Sequence, residues 1–276
     1  VVLWSTGNMI VRGTDLTGPQ IAFWRYLISA VLYAVAYRRF VGPLFWADFK
    51  IAAPVGVILA IEVAVFFVAI KSTTVANVTV IGSLSPLLLF GVAARRFNER
   101  ISLRVIAAAA LALGGVVAVV FGSAEGATWS LKGDALAVLA LLFFAAYFVV
   151  GKVARESLSG LALQAHSLIA GVPVLALTLL IDSGGMPVPA GGQWWFVIGL
   201  VIFPTTGHFL VNWAHAHVSL TLVSLMTLGV PVLSILAAAV LYDETIVGMQ
   251  VAGIVVVLIV LSLAIVETSR LDVTRE

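Results

Sequence analysis

No cysteine occurs among the 276 residues, which excludes disulfide frameworks, thiolate metal sites and cysteine nucleophiles. Charge is nearly as scarce: 10% of the chain is charged against 62% hydrophobic. A soluble domain carries roughly 25% charged and about 45–50% apolar residues. Fifteen basic and 13 acidic side chains cannot coat a soluble body of 29.1 kDa. A soluble enzyme, a disordered chain and a nucleic-acid binder are excluded, and the mean hydropathy of +1.17 agrees. Also missing are a Gly-x-x-x-x-Gly-Lys phosphate loop and a charged leader with a small-residue cleavage site. The chain opens on Val1 rather than methionine, so its start is read as truncated. What remains is an integral membrane protein.

A membrane-spanning helix needs ~20 apolar residues. Stretches free of Asp, Glu, Lys and Arg run 72–94, 105–124, 135–151, 157–181, 183–242 and 245–266. The 60-residue stretch must hold two spans. Two further spans are each interrupted by one charge, Arg25 or Glu62, and residues 1–12 read as the end of another. Ten spans result, near 1–12, 18–37, 51–70, 74–94, 103–122, 134–151, 159–181, 193–217, 219–241 and 246–266. No alternation over successive segments suggests a barrel. Connections after even-numbered spans, with the C-terminal tail, hold eleven Lys and Arg; those after odd-numbered spans hold Arg12, Lys71 and Lys132. The positive-inside rule then predicts that both termini are cytoplasmic.

Pro86 and Pro231 lie 145 residues apart inside apolar spans, and Glu99 and Glu244 repeat that offset. So do Ala69 with Ala214 and Thr74 with Ser219. Each half reads as five spans; five is odd, so the second half enters the membrane inverted. The halves are 1–123 and 133–267, with 268–276 a cytoplasmic tail.

The motifs of the first half include Leu3-Trp4-Ser5-Thr6-Gly7-Asn8, Ser83-Leu84-Ser85-Pro86 and Asn98-Glu99-Arg100. In the second half they include Gly133-Asp134-Ala135, Gly229-Val230-Pro231 and Asp243-Glu244-Thr245. This resembles the drug/metabolite transporter superfamily, in its ten-helix branch with two EamA repeats. The Val2-Leu3-Trp4-Ser5-Thr6 opening is similar to bacterial aromatic amino-acid exporters. The resemblance implies an all-α inverted 5+5 fold around a central cavity lined by spans 1, 3, 4, 6, 8 and 9. It also implies export of amino acids, aromatic or hydrophobic ones first, or of related metabolites by alternating access. No cofactor or catalytic role is implied, and the partners are a small-molecule substrate and the bilayer rather than nucleic acid.

On those spans, the polar and aromatic residues expected at the substrate are Trp4, Asn8, Asn77, Ser83 and Ser85 from the first half. Tyr147, His208, Asn212, Trp213 and Thr227 complete the set, each equally suited to interhelical bonding. Spans 4, 8 and 9 hold no interior Lys or Arg, which argues against phosphorylated substrates. Pro86 and Pro231 are expected to kink their spans near the midplane, as paired hinges or as fixed bends. Arg25 and Glu62 have matching depths and are expected to pair, as a static tie, a gate lock or a proton-coupling site. Glu62 also suits a rival reading, a lipophilic-cation or drug exporter. An intramembrane enzyme or receptor has less support, since the span interiors hold one carboxylate and no catalytic dyad.

His166 and His208 offer titratable imidazoles at the opposite depth. His215 and His217 do not suit a metal, because a two-residue spacing points their rings apart on a helix. Trp194 and Trp195 read as an interfacial aromatic belt. Ala110, Gly114 and Ala118 on span 5 and Gly248 and Ala252 on span 10 form small-residue faces. They are expected to make these spans peripheral supports and a homodimer contact, with a bulky residue at Gly114 lowering stability.

Overall fold

The computed structural model describes residues 1–121, 130–242 and 245–273; the side chains of residues 8, 9, 12, 71, 75, 241, 242 and 268–273 fall outside that description. Those residues form twelve α-helices. The first half holds α1 (Val2–Arg12), α2 (Gly18–Phe40), α3 (Trp46–Ser72), α4 (Val75–Gly82), α5 (Ser85–Arg96) and α6 (Leu103–Phe121). The second holds α7 (Leu131–Ala154), α8 (Gly160–Ser183), α9 (Gln193–Ala214), α10 (Leu220–Met226), α11 (Gly229–Tyr242) and α12 (Gly248–Val273).

Helix starts are written locally. Thr17 accepts from the Gln20 N–H while the Gln20 side chain accepts from the Thr17 N–H, a reciprocal capping box reinforced by Pro19 in the first turn. Thr74, Ser130, Ser159 and Ser219 each accept a bond from the N–H three residues on. With these N–H groups satisfied, helix ends are tolerated close to hydrocarbon.

Spans 4 and 9 predicted from the sequence are each two helices rather than one bent helix. α4 stops at Gly82 and α5 starts at Ser85 with Pro86 in its first turn; α10 stops at Met226 and α11 starts at Gly229. Proline lacks an N–H and fits a first helical turn, so these sequences restart a helix more readily than they bend one. The Ser83 hydroxyl donates to the Thr79 carbonyl at 2.8 Å and the Thr227 hydroxyl to the Ser224 carbonyl at 2.6 Å, each adding a second bond to a carbonyl that already accepts the same residue's N–H. Counting α4–α5 and α10–α11 as one crossing each, eight segments of the described residues are long and apolar enough to cross a membrane. This is a multi-pass, all-helical membrane protein.

Two contacts set how closely the helices approach. A Cβ on Gly56 of α3 would sit 1.9 Å from the Ser167 carbonyl oxygen of α8, so the backbones touch and only glycine fits. α6 and α12 cross at Gly115 and Gly253, where a Cβ on Gly253 would lie 2.5 Å from the Gly115 oxygen. This corrects the expected Gly114 face by one position. A Cβ on Gly114 or Gly248 would meet no atom of another element within 4 Å, and Ala110 and Ala252 are exposed. The buried stripe of α6 is Val105, Ala109, Ala112, Val116 and Val119 instead. Its three valines bury more apolar area than a stripe of alanine and glycine could.

Candidate functional site

Between α2, α3, α8 and α9 lies a small cavity whose walls include Arg25, Tyr26, Gly56, Gln164, Thr205 and His208. In this conformation it encloses about 10 Å³, room for one water. Leu59 of α3 also lines it, and Glu62 stands one helical turn beyond Leu59. Both Arg25 and Glu62 are half-buried.

The expected Arg25–Glu62 ion pair is not formed: among the described residues no salt bridge joins them. The Arg25 guanidinium lies over the Tyr26 ring at 5.2 Å instead, a cation–π contact. The two charges still share one neighbourhood. Each acts electrostatically on Tyr26, Arg25 acts on Glu62, and Glu62 also acts on Tyr147.

A hydrogen-bonded chain of aromatic and amide groups backs the cavity. The Tyr147 hydroxyl donates to Asn212 Oδ1 at 3.1 Å, and Asn212 Nδ2 donates to Gln164 Oε1 at 2.8 Å. His208 Nδ1 is 3.4 Å from the same hydroxyl. A tyrosine has one hydrogen to give, so with Asn212 receiving it His208 Nδ1 carries the proton toward Tyr147. Trp4 packs on the His208 ring at 4.9 Å and on Phe144 at 6.2 Å. Gly207 admits it, since a Cβ there would lie 2.7 Å from the indole.

Of the residues expected at the substrate, Trp4, Tyr147, His208 and Asn212 are therefore brought together. Asn77 is not: its amide donates to Thr73 and Asp134, each at 3.2 Å, tying the start of α4 to α7. Ser83 and Thr227 serve the helix breaks, and Ser85 is buried at the α5 break with its hydroxyl unpartnered. Trp213 points away from the cavity, 50% exposed and stacked on His217 at 4.0 Å, because its place on α9 is one residue off the buried Asn212. The Asn8 side chain lies outside the described residues. His166 is buried, its Nδ1 2.8 Å from the Ala162 carbonyl and its ring against Tyr37. Among the described residues no cluster of three His, Asp or Glu side chains could hold a metal.

One junction is marked in the sequence only by its repeat register and the Asn98-Glu99-Arg100 motif. Asn98 adopts a left-handed conformation, φ 51°, which asparagine tolerates, and turns the chain so that Glu99 faces the start of α10. There the carboxylate accepts from the Leu220 N–H at 2.6 Å, the Thr221 N–H at 2.9 Å and the Thr221 hydroxyl at 2.7 Å. Lys152 lies 3.7 Å from the same carboxylate and donates to the Val218 carbonyl at 3.0 Å. Arg155 bonds the Asn212 and Leu158 carbonyls beside it. His215, just past the end of α9, is buried with both ring nitrogens unpartnered. Burial first, then the Lys152 and Arg155 charges, hold its pKa down at about 3. Glu244, which the repeat pairs with Glu99, lies outside the described residues.

Comparison with curated proteins finds no match. A solved structure titled "Crystal structure of protein" is similar in fold, with a TM-score of 0.81 at 20% identity over 98% of this chain and 95% of that one. The EamA-like transporter family pattern matches twice, over residues 1–121 and 131–266. With nearly the whole sequence covered by two such repeats, the chain belongs to the EamA-like transporter family, within the drug/metabolite transporter superfamily.

Proposed function

We propose that the protein is a secondary transporter that exports amino acids, aromatic or hydrophobic ones first, across a bacterial inner membrane by alternating access. The observation that carries this is the exchange of packing partners around the cavity when the chain is shifted by one repeat. α3 packs on α7 as α9 packs on α1, and α3 packs on α8 as α9 packs on α2. α2 with α8 and α6 with α12 map onto themselves. Such exchange is what two inverted repeats around a central path produce. α1 and α2 pack into this bundle beside the eight spans, which supports ten crossings, and the eleven-to-three distribution of basic residues supports cytoplasmic termini. The helix breaks at Pro86 and Pro231 supply two places where a crossing can flex. Purified protein in liposomes, given a panel of labelled amino acids with and without a pH gradient, tests the reading. Saturable flux of at least one amino acid is expected; its absence across the panel overturns it.

A further inference from the structure

Two opposite charges left unpaired beside one another in a membrane interior are costly unless something else partners them. Arg25 and Glu62 are such a pair: Arg25 lines the cavity, Glu62 stands one helical turn beyond the wall residue Leu59, and among the described residues no salt bridge joins them. The unmatched groups beside Arg25 are donors. Arg25 Nε and the Tyr26 hydroxyl are buried without a well-formed hydrogen bond, although Arg25 lies near enough to act on that hydroxyl. Trp4 Nε1 is likewise unpartnered against the His208 ring. Tyr26 is only 3% exposed and lines the cavity, so apart from the contact with Arg25 its hydroxyl has no partner at that wall.

A carboxylate accepts several hydrogen bonds and pairs with a guanidinium; an ammonium donates three and pairs with a carboxylate. We infer that the cavity holds the zwitterionic head of an α-amino acid, its carboxylate on Arg25 and Tyr26 and its ammonium on Glu62, with the side chain toward Trp4 and Phe144. This deepens the amino-acid export reading and rests on it. The present space of about 10 Å³ admits no amino acid, so binding requires the surrounding helices to part and the head group to take the place of water between the two charges. A lipophilic-cation exporter would use Glu62 alone and leave the donors around Arg25 without a purpose.

The test is competition against labelled phenylalanine in liposomes by 2-phenylethylamine, which lacks the carboxylate, and 3-phenylpropanoate, which lacks the ammonium. The triplet alanine, ethylamine and propanoate separates head-group recognition from the aromatic contact. Each singly charged analogue is expected to compete about tenfold or more worse than its parent amino acid. Arg25→Gln should erase the penalty for the amine and Glu62→Gln that for the acid. Where a variant fails to fold, thermal stabilisation of the wild-type protein by the same triplets reads the same ratios. An amine that competes as well as its parent, or ratios unchanged in both variants, overturns the zwitterion site while transport stands. Absence of flux for every amino acid overturns the export reading and this inference together.

Discussion

Glu99 is the residue where chemistry and distance in sequence diverge most. Its partners Leu220 and Thr221 lie 121 and 122 residues away, so no local pattern announces the contact. Sequence periodicity marks Glu99 only as a repeat position, whereas the structure gives its carboxylate three donors and Lys152. Removing one partner of a buried pair costs about 3–5 kcal/mol. Glu99→Ala should therefore lower the melting temperature in detergent sharply. Thr221→Val, which removes one hydroxyl bond, should cost about 1–3 kcal/mol, because the charged acceptor stays buried. His215 gives a pH dependence with a defined sign. Its folded pKa is about 3 against an ordinary 6.5, so the unfolded chain takes up a proton first as pH falls. Stability contributed by neutral His215 is complete above about pH 6.5 and is lost toward pH 3, by about 2 kcal/mol at pH 5. His215→Leu should flatten this loss in thermal denaturation from pH 7 to 5; an unchanged slope would assign it to other groups.

At the scale of elements, positions are legible in the sequence where the chemistry is local. The capping residues Thr17, Ser159 and Ser219 mark where helices start, whereas Pro86, read from the sequence as a kink, opens a second helix. Which face of a helix meets its neighbour is less legible, because an almost wholly apolar helix has little polar contrast to show it. Trp213 and Gly114 each stand one residue from the position that is buried, for that reason. Asn77 has the chemistry of a cavity residue, but its amide is taken up by Thr73 and Asp134. The corrected face makes a paired prediction. Gly115→Leu or Gly253→Leu should destabilise the α6–α12 contact by about 3 kcal/mol or more, the upper end of overpacking costs, since the backbones touch there. Gly114→Leu should leave the stability of the monomer within about 0.5 kcal/mol of wild type, as exposed substitutions do. Equal effects at 114 and 115 in thermal denaturation would refute the assigned face.

For the whole molecule, the repeat register and the cavity are partly readable because helix order and charge survive in sequence. The absence of an Arg25–Glu62 ion pair is not, since matched depths say nothing about how two side chains rotate around their helices. If the breaks at Pro86 and Pro231 flex during transport, spin labels placed on either side of each should change separation when a transported amino acid is added. Constant distances on both helices would make the breaks fixed. The contact of Gly56 with Ser167 limits what else can move. Atoms already in backbone contact cannot slide past one another without lifting apart, so α3 and α8 are geared together. They come from opposite repeats. If the protein opens by parting rigid bodies, the body that holds α3 and α8 is assembled from pieces of both repeats.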